Sequence, residues 1–157
     1  PEGSGPRHFA FNSTGSVMYL INEPGSSVVV FMVDDDGTLR QVQSVSTLPP
    51  GFEGKNACAE IILSPDGKYL YGSNRGANSI VVYKVSDDGT ISLAGHSSCG
   101  GDWPRNFTID PTGKFVLVGN QRSDMISVLK INNKTGIPEL KGYTISTKAP
   151  AYLEFWK

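Results

Sequence analysis

The chain has 157 residues, 15 acidic against 14 basic side chains and 18% charged residues, with ordinary apolar content. That composition suits one globular domain and excludes charge-driven disorder; the lack of any Lys/Arg cluster argues against nucleic acid, and no apolar run approaches membrane-spanning length. Two cysteines build no disulfide framework, and Pro1–Ser4 has neither the basic nor the apolar region of a leader.

In chain order, a strand is expected over Pro6–Phe11, with a turn ending at Gly15 and a second strand from Val17 to Asn22. A third run, Val28–Val33, leads through Asp34-Asp35-Asp36-Gly37 to a fourth at Gln41–Thr47. After a Pro/Gly loop over 48–56 the pattern starts again. Ala59–Leu63, the turn Ser64-Pro65-Asp66-Gly67, Tyr69–Arg75, Ile80–Val85 and Ser92–Ser97 form a second unit. Pro104–Ile109, the turn Asp110-Pro111-Thr112-Gly113, Phe115–Asn120, Ile126–Ile131 and Leu140–Thr147 form a third. The runs are rich in Val, Ile, Tyr and Phe, and Pro and Gly suit the turns between them. No segment carries helical periodicity over ten or more residues.

The turn glycines recur at 15, 67 and 113, and Asn recurs at 22, 74 and 120, in both cases 52 and then 46 residues apart. Four short antiparallel strands per repeat of this length predict an all-β fold, a β-propeller with three four-stranded blades. A sandwich would fit the strand spacing but not the threefold repeat. The blades fall at about 6–48, 58–99 and 104–147 of a domain covering 1–157. Residues 150–156 repeat the inner-strand pattern and are expected to belong to a further blade. Three blades close no ring, so the chain is expected to be part of a larger propeller, completed by remaining blades or, less favoured, by other copies of itself.

Within each inner hairpin, the start of the first strand and the end of the second lie at the same end. This places Arg7 and His8 near Asn22 and Glu23, Glu60 near Asn74 and Arg75, and Arg105 and Asn106 near Asn120 and Gln121. Polar groups thus converge at one mouth of the channel, a default binding or catalytic site. Asn22, Asn74 and Asn120 occur in every unit, which points to scaffold rather than catalysis. With Glu60 and Arg105 they are also candidate substrate contacts. Glu23, Arg75 and Gln121 follow those Asn with different chemistry, as expected of a site carried on a repeat. Strand alternation sends His8 and Arg7 to opposite faces, which makes His8 structural, and His96 reads as surface. Asp34–Gly37 lacks the spacing of a calcium loop. Cys58 and Cys99 lie three strands apart, too far to bridge. Three Asn-X-Ser/Thr triplets, at 12, 106 and 133, are weak evidence for secretion; the compartment stays open, with the cytoplasm preferred.

Gly5-Pro6-Arg7-His8-Phe9-Ala10-Phe11, Ala59-Glu60-Ile61, Ser64-Pro65-Asp66-Gly67-Lys68-Tyr69-Leu70-Tyr71, Ser73-Asn74-Arg75-Gly76 and Pro104-Arg105-Asn106-Phe107 resemble the seven-bladed β-propeller lactonases. That family includes propeller-type 6-phosphogluconolactonases and carboxy-muconate lactonizing enzymes. The chain resembles the family's C-terminal three blades. The resemblance implies hydrolysis of a small anionic sugar-acid or carboxylate lactone, with Arg7, Glu23 and Arg75 as catalytic residues and a fourth residue, a His, from an earlier blade. A carboxylate or His would activate water, and Arg would hold the substrate anion and the oxyanion. The scheme requires no metal and no cofactor. The alternative is a non-catalytic propeller that uses its polar face for binding or structure.

Overall fold

The computed structural model describes residues 2–156; Pro1 and Lys157, the ends of the expected domain, lie outside the described residues. Twelve strands form three four-stranded sheets: β1 (Pro6–Phe11), β2 (Val17–Asn22), β3 (Ser27–Val33) and β4 (Leu39–Ser46); β5 (Ala57–Leu63), β6 (Tyr69–Arg75), β7 (Ser79–Val85) and β8 (Ile91–Ser98); β9 (Pro104–Ile109), β10 (Phe115–Asn120), β11 (Met125–Ile131) and β12 (Pro138–Ser146). Every sheet runs in sequence order with antiparallel neighbours, and no helix occurs among the described residues. This is the expected propeller fragment. The first hairpin of each sheet closes on an i→i+3 bond, from Gly15 N to Asn12 O, Gly67 N to Ser64 O and Gly113 N to Asp110 O. All three glycines have φ near +70°, where a Cβ would be strained. Asp34–Gly37 is a turn of the same kind, with Gly37 N donating to Asp34 O.

The apolar core lies between the sheets. Tyr19, Ile21, Val28 and Val30 of the first sheet pack on Ile61, Leu70, Val81 and Tyr83 of the second. The second sheet's other face, with Tyr71, Ile80 and Val82, packs on Phe107, Val116, Val118 and Leu129. A sheet buried on both sides reads as a continuous apolar run, as Ile80-Val81-Val82-Tyr83 does. The outward faces of the first and third sheets keep Phe9 59% and Tyr143 70% exposed. Burial pushes the free thiols of Cys58 and Cys99 up, that of Cys99 to about 11, which keeps both protonated and unreactive at neutral pH. Residues 150–156, expected as an inner strand of a further blade, form no strand here. Leu153 N donates to Asn106 Oδ1 at 2.7 Å, laying this segment beside β9.

Polar groups lock consecutive sheets together. The Tyr19 hydroxyl donates to Gly89 O and that of Tyr71 to Gly136 O, across to the next sheet's outer turn. The third sheet has Leu117 in that place. Asn74 Nδ2 donates to Thr47 O at the end of the preceding sheet, and Asn120 Nδ2 to Cys99 O. Asn74 Oδ1 also accepts from Asn56 Nδ2 and the Cys58 thiol, while Asn120 Oδ1 has no partner. Each buried group left unpaired costs about 1–3 kcal/mol. Asn74→Ala should therefore destabilise the protein by about 2–4 kcal/mol, and Asn120→Ala by clearly less. Urea unfolding of the two variants checks the order.

Candidate active site at the inner strand ends

The sequence brings three ionisable groups together as expected. Glu23 follows β2 directly, and its side chain is 37% exposed. Arg7 Nη1 donates to Glu23 Oε2 at 3.1 Å, and Arg75 Nη2, from the next sheet, donates to Glu23 Oε1. The two arginines differ in what remains free. Arg75 is 4% exposed and also donates to Ala57 O and Cys58 O. Arg7 is 19% exposed, donates through Nε to Ala59 O, and keeps Nη2 without a hydrogen bond to the described residues. Burial alone would raise the Glu23 pKa. Hydrogen bonds and charges from Arg75 and Arg7 outweigh it and hold the carboxyl below the usual glutamate range.

A second polar group lies alongside. His8 Nδ1 donates to Glu60 Oε1 at 2.9 Å, and Asn106 Nδ2 donates to Glu60 Oε2 at 2.5 Å. Positions 8, 60, 106 and 152 are the same place in successive repeats, 52, 46 and 46 residues apart. An open cavity of about 460 Å³ is lined by all four of these residues, together with Arg7 and Glu154 among others.

Several sequence expectations shift. Strand alternation was to separate His8 from Arg7, but a bulge between Pro6 and His8 breaks the β1–β2 register. Both side chains therefore reach residues of the second sheet. Glu60 does not lie beside Asn74 and Arg75. A bulge between Cys58 and Ile61 puts Cys58 and Ala57 opposite them and leaves Glu60 to bridge the first and third sheets. Asn22, Asn74 and Asn120 are buried, and each donates to a serine of the following strand: Ser27, Ser79 or Ser127. They fasten the hairpins, and none of the three lines that cavity. Arg105 makes no hydrogen bond or ion pair among the described residues and does not line that cavity. His96, expected at the surface, is partly buried and pairs through Nε2 with Thr47 O. Asn106, in a glycosylation triplet, is buried and hydrogen-bonded.

The sequence reading missed Trp103. Its ring centroid lies 5.3 Å from Arg75 Cζ and 3.4 Å from Arg122 Cζ. Its φ of +65° matches the +62° of Gly5, the residue before proline in the first repeat. Both carbonyls do the same work, accepting from Glu23 N and Gln121 N. A bulky residue held in the left-handed region is strained. The pairing of Gly5-Pro6 with Trp103-Pro104 was the available signal.

The family model described as "Lactonase, 7-bladed beta-propeller" matches residues 1–155. A 6-phosphogluconolactonase of Yersinia pestis (strain Pestoides F) is 40% identical over 154 residues, covering 96% of this chain and 46% of that protein. The chain thus spans about half the length of the curated relatives it matches. The solved structure of the periplasmic gluconolactonase PpgL of Pseudomonas aeruginosa superposes with a TM-score of 0.93 at 35% identity, covering 98% of this chain and 43% of that one. A structure of a protein from Lactobacillus plantarum gives 0.88 at 35% identity, over 94% and 43%.

The lowered Glu23 pKa has a defined pH consequence. A carboxyl depressed in the folded state contributes stability that is complete above its unfolded value, about 4.3, and is lost as pH falls through the folded value. Glu23→Gln should lower the urea midpoint at pH 7. It should also flatten the loss of stability on acidification below about pH 5. Parallel curves for wild type and variant would remove the assigned ion pairs.

Proposed function

The chain belongs to the seven-bladed β-propeller lactonase family, and we propose that the protein carrying it hydrolyses a small anionic sugar-acid lactone. The printed activities of the Yersinia and Pseudomonas relatives support the sugar-lactone class. The observation that carries the anionic preference is Arg7. Its guanidinium is fixed by Ala59 O and Glu23, yet keeps one N–H edge free beside the cavity. A guanidinium so placed can take a carboxylate or phosphate in a two-point contact.

Glu23 and Arg75 have a positioning role in this reading. A carboxylate gripped by two arginines is a weak proton acceptor, and Arg75 is too buried to meet substrate. They hold Arg7 at its angle. The remaining wall of the site belongs to blades outside residues 1–157, and residues 150–156 join the inner strand of one of them. The apolar outer faces of the first and third sheets support that completion, since a propeller blade is stabilised by its neighbours.

The test is acid release from 6-phosphogluconolactone and from an uncharged lactone of similar size by the full-length protein, followed by pH-stat titration. Arg7→Ala should raise KM for the phosphorylated substrate at least tenfold, the equivalent of about 1.4 kcal/mol, with a much smaller effect on the uncharged one. Equal effects on both would reject Arg7 as the anion contact. Binding without turnover would favour the binding-module reading.

A further inference from the structure

We propose that His8, oriented by Glu60, is the general base and acid of the lactone hydrolysis; this rests on the lactonase reading above. Geometry favours His8 over Glu23. The Glu60 carboxylate can only accept, so Nδ1 carries the ring proton and Nε2 presents a lone pair. Nε2 makes no hydrogen bond to the described residues, the side chain is 43% exposed, and His8 lines the cavity. Glu60 is itself held from three sides. It accepts from His8 Nδ1, from Asn106 Nδ2 and from its neighbour's backbone, Ile61 N. A carboxylate fixed in this way sets the tautomer and direction of an imidazole and stabilises the imidazolium that forms. The bulge at Pro6/His8 places the base and Arg7 on one cavity.

The step balances as follows. Nε2 takes a proton from water while the water oxygen bonds to the lactone carbonyl carbon. The ring C–O bond then breaks, and Nε2 returns its proton to the departing ring oxygen. One water is consumed, one hydroxy acid is formed, and His8 and Glu60 are regenerated. Glu60 acts through His8 and is a positioning residue. The ionisable groups facing His8 are Arg7 on its own strand, Glu60 on β5, and Tyr152 and Glu154 on the terminal segment.

The experiment uses the full-length protein and 6-phosphogluconolactone. His8→Asn keeps a donor for Glu60 but removes the proton acceptor. It should lower kcat by about 100-fold or more with KM within threefold, and abolish the acidic limb of the pH–rate profile. Added imidazole should restore part of the rate to His8→Ala. Glu60→Gln should lower kcat less and shift that limb. A folded His8→Asn protein within threefold of wild-type kcat overturns the inference while leaving the lactonase reading intact. A folded wild type with no lactonase activity overturns both. A His8→Ala protein that melts like wild type and keeps only a small residual rate, but gains nothing from imidazole and shows the wild-type pH profile in that rate, also counts against His8 as the base.

Discussion

Each four-stranded sheet of this chain has an apolar face that can leave water only against the next sheet, and that constraint sets where the functional side chains lie. Tyr19, Ile21 and Val28 need Ile61, Leu70 and Val81, and Tyr71 and Ile80 need Phe107 and Val118. Once the faces meet, the inner strands are brought side by side, since the repeat gives every sheet the same connectivity. Residues at the start of β1, β5 and β9 then face one another across sheet boundaries. Apolar packing supplies the free energy; the polar contacts between sheets fix the angle. Tyr19 to Gly89 O and Asn74 to Thr47 O are such contacts, each made by a buried group that would be costly to leave unpaired.

The first-sheet and second-sheet polar groups solve two separate problems. Glu23 sits between Arg7 and Arg75, so two cations from neighbouring sheets share one anion. The cluster carries a net positive charge and its carboxylate is already occupied. Glu60, by contrast, takes neutral donors from Asn106 and Ile61 and one ring N–H from His8. A carboxylate in that setting can stabilise a positive charge appearing on the imidazole, because no permanent cation has claimed it. The difference follows from which residue the repeat places at each inner strand start: His8, Glu60 and Asn106 at one register position, with Arg7, Ala59 and Arg105 one residue before.

The fold was legible because repetition amplifies weak local signals. One Ser-Pro-Asp-Gly turn says little, but Gly15, Gly67 and Gly113 with Asn22, Asn74 and Asn120 at the same two spacings leave few architectures. The convergence of Arg7, Glu23 and Arg75 followed from hairpin direction alone and agrees with the contacts found. What strict alternation could not show were the bulges at Pro6/His8 and Cys58/Ile61. An extra residue in a strand leaves no mark in the apolar pattern when it falls at a polar strand start, yet it turns every following side chain by half a period. That error sent His8 to the wrong face and Glu60 to the wrong partners. Trp103 was hidden for a related reason: its left-handed backbone belongs to a position that the first repeat fills with Gly5.

The three asparagines show how a repeat separates scaffold from site. Asn22, Asn74 and Asn120 are the same in every unit because each must reach a serine on the next strand and tie off a hairpin. None of the three lines the cavity beside His8. In the third unit Met125 stands where Ser27 and Ser79 stand in the others, so Asn120 Nδ2 reaches two residues further, to Ser127; its Oδ1 is without a partner because Asp102 and Pro104 stand where Asn56 and Cys58 donate to Asn74 Oδ1. The scaffold tolerates that defect because Asn120 still holds Cys99 O of the preceding sheet. The inner-strand position is not tied to the hairpin in that way: His8, Glu60 and Asn106 bond to one another across the sheets, with the backbone N–H groups of Ile61 and Leu153 completing the set. Chemistry varies there from His8 to Glu60 to Asn106 because each side chain answers to its partners across a sheet boundary, and a position whose partners lie on other sheets is where a repeat fold can hold a reactive group.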